Sequence, residues 1–373
     1  MSLRRFLYLV ANDCGDRSYS LRRIDTSRFF FGGSTEGTPT PLDSSGGAGA
    51  ADPSAIEDGG HLPDPMINLF PPRMEPKPGS IGFMLFKNKV NEGHDKVVAI
   101  DSMGHSLICD PDLPPTVHYL PSMASPKFSP FSLTVGNSLY VVDAFPMAPN
   151  GRKRHSFEVL SSDEDHRSFK SKAWYWSPLD PPPHVYGPSH KSHFIDSYTV
   201  VAGSNIVVSN KDSQQTYCFD TVNRTWNKAG NWVLPFNRLA EYLPEHKLWF
   251  GISPIEEGYR FCGANLVASL DSGEMRPPLV HRLWKEYAEP PPEWSLAQTY
   301  AVHLGSSKFC IIRFFEIGKL HVCPEHHESY KREEELQAVL TGVEVENCGD
   351  EVRVVKHKSE RYKLDVNSSY RVL

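Results

Sequence analysis

A chain of 373 residues with 39 Lys and Arg against 45 Asp and Glu, 39% of it hydrophobic, carries enough apolar material for a sizeable core. Its longest apolar runs, such as Phe6 to Ala11 and Val97 to Ile100, fall far short of the ~18 residues that a membrane helix needs, so no helical membrane span is expected. Seven scattered cysteines with no Cys-x-x-Cys pair exclude a secreted disulfide framework, and reduced thiols are expected.

The chain opens with Arg4 and Arg5 followed by the apolar run Phe6 to Ala11, which imitates a signal peptide. That core is shorter than the ~7–15 residues of an export signal and no small-residue cleavage site follows, so it reads as the first strand of a cytoplasmic or nuclear protein. Phe6 to Val10 and Tyr19 to Ile24 make a strand pair, and residues 1–31 are assigned to a closing blade of the fold described below.

Residues 32–80 read as a low-complexity, acidic Gly/Ser/Pro-rich loop. From Gly32 to Pro65, 21 of 34 residues are Gly, Ser, Pro or Ala, six are acidic and none is Lys or Arg. Such a segment buries too little apolar surface to offset its ordering entropy, and an acidic docking tail is the functional alternative to a solvated loop. The remaining chain holds 39 acidic and 39 basic residues, so no net field steers it to nucleic acid.

From Ile81 to the end the sequence alternates short β-type runs with turn residues, Lys331 to Leu340 being the one run long enough for a helix. One phrase recurs: an apolar strand, a tight turn and a more apolar strand. It appears as Phe131 to Val135, Gly136-Asn137, Leu139 to Val142, then as Thr199 to Ala202, Gly203-Ser204, Ile206 to Val208. It returns as Leu239 to Leu243, Glu245-His246, Leu248 to Ile252, and as Tyr300 to Leu304, Gly305-Ser306, Phe309 to Ile312. The second strands begin at Lys96, Ser138, Asn205, Lys247 and Lys308, at intervals of 42, 67, 42 and 61 residues. A period of about 40–50 residues with four short strands is that of a β-propeller blade. A blade is hydrophobic on both faces and hides them only between neighbours, so the most apolar strands, the second of each phrase, are expected innermost. Six blades are expected over the chain, residues 81–373 supplying the rest of the propeller and a C-terminal strand such as Arg361 to Asp365 closing it. Seven stays open, because Phe157 to Leu160 and Ala173 to Trp176 could be further strands.

The run Tyr217-Cys218-Phe219-Asp220-Thr221-Val222-Asn223-Arg224-Thr225-Trp226 resembles the third and fourth strands of a kelch repeat. The resemblance implies structural roles: Asp220 closing a hairpin, Trp226 packing between blades, Tyr217 completing the motif. With Gly230 to Phe236 and the ending Val354 to Tyr362, the chain is similar over most of its length to a grass-plant kelch-like family of unknown function, the domain of unknown function 1668 type. That likeness implies an all-β kelch-like propeller and a plant origin, with no established activity or catalytic residues.

The search for chemistry finds no nucleophile elbow, phosphate loop, His-Glu-x-x-His or EF-hand. In His321 to His327, Cys323 and His326 have the two-residue gap of a zinc hairpin; Cys310 or Cys348 supplies only part of the second pair a structural site needs, and an exposed His-rich loop is the competing reading. His184, His190 and His193 follow a Pro-rich connector, and the tryptophans recur once or twice per blade, as inter-blade packing requires. The expectation is therefore a non-catalytic scaffold that binds an unknown protein partner through loops such as Pro149 to Lys172, Asp271 to Pro278 and His321 to Glu335, with no cofactor and no catalytic residues. The alternatives are an enzyme or small-ligand binder using the central channel, with metal at Cys323 and His326, and a carbohydrate-binding propeller that would expose Trp.

Overall fold

The computed structural model describes residues 4–30, 56–73, 79–87, 95–111, 114–127, 129–145, 155–163, 173–183, 194–266, 277–282, 293–322, 329–349 and 351–373. Two compact units result: one of Met1–Leu9, Arg22–Asp64 and Leu283–Val372, the other of Val10–Leu21 and Pro65–Arg282 with Leu373. Among the described residues, regular structure consists of strands and short 3-10 turns.

β1 (Phe6–Asp13) and β2 (Ser18–Asp25) hold the two expected N-terminal strands, followed by a 3-10 turn at Thr26–Phe29. Two strands then lie inside the stretch read as a loop: β3 (Ile56–Gly60) and β4 (Pro65–Leu69). Composition hid them because β3, Ile-Glu-Asp-Gly-Gly, has almost no apolar surface and owes its pairing to the strand beside it.

The second unit contains four antiparallel meanders in succession. They are β5 (Ile81–Phe86), β6 (Lys96–Asp101), β7 (Ser106–Asp110) and β8 (Thr116–Leu120); β9 (Pro130–Val135), β10 (Ser138–Asp143), β11 (Phe157–Asp163) and β12 (Ala173–Leu179); β13 (Ser197–Val201), β14 (Asn205–Asn210), β15 (Gln215–Asp220) and β16 (Thr225–Gly230); and β17 (Arg238–Leu243), β18 (Leu248–Ile252), β19 (Phe261–Asn265) and β20 (Leu279–Arg282). The long strands β21 (Trp294–Gly305), β22 (Lys308–Val322), β23 (Ser329–Cys348) and β24 (Glu351–Leu364) follow, and β25 (Ser368–Val372) ends the chain.

Sheet orders are β25-β1-β2-β4, β5-β6-β7-β8, β12-β11-β10-β9, β21-β22-β23-β24-β3 and an eight-stranded β16-β15-β14-β13-β17-β18-β19-β20. The fold is all-β and of β-propeller type: four-stranded meanders whose cores lie between successive sheets. Leu139 and Val141 of β10 pack with Val98 and Ile100 of β6, whereas Val142, with Phe157 of β11, packs with Ile206 and Val208 of β14. Alternate residues of one strand thus face two cores, and a strand buried on both faces needs a continuous apolar run.

Several expectations are corrected. The most apolar strands are second in their sheets, not innermost: β13 and β17, both first strands, pair in parallel through Ser197↔Arg238, Tyr198↔Leu239 and Thr199↔Ala240. Phe157 and Ala173 begin β11 and β12, which complete the sheet opened by β9 and β10 and add no further blade. Within the insert Pro149 to Lys172, Phe157–Asp163 is strand β11, and residues 149–154 and 164–172 lie outside the described residues. Lys331 to Leu340 belongs to β23, paired with β22 along the run and with β24 from Leu336 onward. The strand beside β1 is β25, since Arg361 lies within β24.

Candidate functional site

The hairpin of β15 and β16 is built by its own residues. Asp220 accepts hydrogen bonds on Oδ1 from the backbone N–H groups of Val222 (2.8 Å) and Asn223 (3.1 Å), and on Oδ2 from the Asn223 side chain (2.7 Å). The Asn223 bonds, backbone then side chain, and that of Val222 hold the Asp220 carboxyl below the usual range. Trp226 stands opposite Phe219, ring centroids 5.0 Å apart, and 5.7 Å from Phe157 of the neighbouring sheet, while its Nε1 donates to the carbonyl of Asp180 at 2.8 Å. Tyr217 donates its hydroxyl to Gln215 Oε1 at 2.9 Å and packs on the same core. Other tryptophans also tie meanders together: Trp176 Nε1 donates to Ser106 Oγ of the preceding sheet, and Trp249 Nε1 of β18 to the carbonyl of Val200 in β13, each at 3.0 Å. No Trp among the described residues is exposed.

Where the first strands of the second unit gather, polar side chains satisfy one another. The N–H of Lys87, just past β5, donates to Thr134 Oγ1 of β9 at 3.1 Å; Thr199 Oγ1 of β13 donates to the carbonyl of Ala240 in β17 at 2.7 Å. The Lys87 ammonium pairs with Glu241 of β17, joining the first sheet of this unit to its fourth. This explains why first strands are less apolar than second ones.

The open feature of the second unit lies at its outer side. A cleft of about 230 Å³ is lined by Phe70, Ile81, Leu107 and Tyr119, with Asp101 and His105 at its polar side. It exists because β8 is the outer edge strand of its sheet and only Leu120 of its five residues is buried. Val117 and Tyr119 share one face by the two-residue period of a strand, at 43% and 92% exposure, and Phe70 is 71% exposed. Asp101 closes the β6–β7 turn: Oδ1 accepts from the N–H groups of Met103 (2.8 Å) and His105 (2.9 Å), and Oδ2 meets His105 Nδ1 at 2.8 Å. Sequence reasoning missed this cleft, since exposed Tyr119 and Phe70 carry no burial pattern.

Cys323 and His326 lie outside the described residues, as do His184, His190 and His193. Cys310, named as a partial partner, is fully buried in β22, where desolvation pushes its thiol far above the ordinary range; Cys348 is exposed at the end of β23.

The profile of one protein family matches residues 4–362. The chain belongs to the family described as Protein of unknown function (DUF1668). This is the family expected from Gly230 to Phe236 and from the C-terminal run. No protein of curated function matches the sequence. Among solved structures, the chain is similar to a provisional 6-phosphogluconolactonase from Bacteroides uniformis, at 12% identity and TM-score 0.41, over 99% of this chain and 100% of that one. It is also similar to the periplasmic gluconolactonase PpgL of Pseudomonas aeruginosa, at 12% identity and TM-score 0.38 over 99% of both chains. An auxiliary nutrient binding protein from Bacteroides thetaiotaomicron follows at 9% identity and TM-score 0.35, over 73% of this chain and 56% of that one. Likeness at this level brings no site residue or activity to this chain.

Proposed function

We propose that the chain is a six-bladed, kelch-type propeller that acts without catalysis, holding an apolar segment of a partner protein in the cleft between Phe70 and Tyr119. The observation that carries this reading is the pair of aromatics left at 71% and 92% exposure around one cleft. Rigid sheets hold such side chains in place before binding, which lowers the ordering cost of an interface, and aromatic anchors in a desolvated pocket dominate interface energetics.

Affinity purification from an extract of the source organism, using the full chain, Tyr119→Ser and Phe70→Ser, tests the proposal. Both side chains are exposed, so each variant keeps its stability to within about 0.5 kcal/mol. A partner retained by the parent and lost by both variants is expected. Identical partners in all three samples would end this reading. The second reading, a small-ligand enzyme, is favoured by the Asp101–His105 contact, an arrangement that orients a general base. It predicts turnover of some substrate that His105→Ala abolishes while partner capture survives.

A further inference from the structure

The first unit contains a strand that a propeller blade does not need. β21 to β24 complete a four-stranded meander, yet β3 is added as a fifth strand, parallel to β24, in the register Ser359↔Ile56, Glu360↔Glu57, Arg361↔Asp58 and Tyr362↔Gly60. β3 carries two acidic residues, Glu57 and Asp58; of the residues it pairs with, Glu360 is acidic and Arg361, opposite Asp58, is basic, and Lys358 stands just before them. Glu57 meets Lys358 Nζ at 2.7 Å.

The edge is organised independently of β3. Lys358 Nζ also lies 3.2 Å from Glu360 Oε1, whose carboxylate, 2% exposed, takes Arg28 at 2.9 Å and the Tyr362 hydroxyl at 2.8 Å on Oε2. Lys358 therefore keeps an anionic partner that fixes its ammonium whether or not Glu57 is there. By contrast β3 is lightly held: Ile56 is 48% exposed, the Glu57 side chain is 54% exposed, and only Gly59 of its five residues is even half-buried. In sequence residues 30–55 separate it from the 3-10 turn, and four residues separate it from β4. The fit is nonetheless selective. A Cβ at Gly59 would stand 2.8 Å from the Tyr362 ring and 3.1 Å from the carbonyl of Arg361, and Gly60 has φ +75.

We infer that the outer edge of β24 is a docking site for an extended, acidic strand of a partner protein, of the pattern apolar-acidic-acidic-Gly-Gly, and that Ile56–Gly60 is the chain's own occupant of it. Main-chain pairing supplies affinity, Lys358 reads the acidic position, and Tyr362 excludes any side chain at the first glycine. An occupant on the same chain competes intramolecularly, so the edge opens to a partner only when β3 is weakened or outcompeted.

The test uses the full chain, its Glu57→Lys/Asp58→Lys and Gly59→Val variants, and a labelled peptide of residues 54–62 as probe. Fluorescence anisotropy should show both variants binding the peptide at least tenfold more tightly than the parent, with weakening at high salt. A peptide carrying Gly59→Val, or the addition of Lys358→Glu to the chain, should abolish binding. Hydrogen exchange gives a second readout: those amides of residues 359–362 that face β3 are slow in the parent, fast in the variants and slow again with peptide, while the ones that face β23, and the β22–β23 ladder, stay protected and report an intact fold. Absence of peptide binding by folded variants overturns the inference, as does unchanged protection of the β3-facing amides of residues 359–362 in them. A parent dimer that Glu57→Lys dissociates would assign the edge to a second copy of the chain and overturn it equally.

Discussion

Replacing Lys127 with Met should be among the most damaging single changes to the second unit. Its side chain is 1% exposed and that of its partner Glu158 is 0% exposed. The ammonium donates to the carbonyl of Ser125 at 2.7 Å and to Glu158 Oε1, while Oε2 accepts from the N–H of Ala124 at 2.9 Å and Oε1 from that of Ser125 at 3.2 Å. The connector from β8 to β9 is therefore folded around one buried carboxylate. Lys127→Met keeps the volume and removes the counter-charge, which costs about 3–5 kcal/mol for a buried pair broken on one side. At ~2–4 °C per kcal/mol for a domain of this size, Tm should fall by roughly 6–20 °C. Lys127→Met combined with Glu158→Gln removes both charges and leaves one connector N–H without its acceptor, a cost of ~1–3 kcal/mol. The double variant should thus be more stable than Lys127→Met alone. Urea unfolding followed by intrinsic fluorescence measures all three. If Lys127→Met lies within ~0.5 kcal/mol of the parent, the pair contributes nothing and the reasoning fails.

Trp226→Ala should cost about 2–4 kcal/mol by removing a half-buried ring from the Phe157–Phe219 cluster, and an unchanged urea midpoint would contradict the packing described. Gly342→Ala would place a Cβ 2.5 Å from the carbonyl of Phe29, so it should destabilise the first unit by ~1–3 kcal/mol, read as a lower Tm; a neutral result would mean that the 3-10 turn moves freely. Cys109 and Cys218, both pushed up to about 11 by burial and then by Asp110 and Asp220 respectively, should resist a thiol reagent at neutral pH until the chain unfolds, whereas exposed Cys14 and Cys348 react in the native state; peptide mapping distinguishes them. Asp220 has a folded pKa below its unfolded one, so its contribution is present above the usual carboxylate range of about 3.9 and is lost as pH falls through the lowered value. Amide shifts of Val222 and Asn223 should stay constant down to that range and move only below it.

What could be read from the sequence follows from how each segment is buried. β10 and β14 announced themselves because both faces are covered, which demands runs such as Leu139 to Val142 and Ile206 to Val208. The Asp220 hairpin was legible because its turn is closed by its own residues, within three positions of the aspartate. β3 was not, since its pairing comes from β24, roughly three hundred residues later in the chain, and nothing in Ile-Glu-Asp-Gly-Gly encodes that edge. Lys331 to Leu340 passed for a helix because length alone does not separate a helix from a strand that is paired on both edges. Of the candidate sites, the Phe70–Tyr119 cleft depends on where β8 ends up in its sheet, and the Lys127–Glu158 pair on two charges 31 positions apart. Neither arrangement leaves a local pattern.

The parallel pairing of β13 with β17 changes how this part of the molecule comes apart. Sheets that touch only through side chains can separate one at a time, but here β17 pairs with β13 through Arg238, Leu239 and Ala240 and with β18 through Glu241, Tyr242 and Leu243, so three backbone pairs join the two meanders. Opening one meander exposes these shared backbone groups of the other's first strand, so the amides of residues 197–199 and 238–240 that bridge the junction should lose protection together.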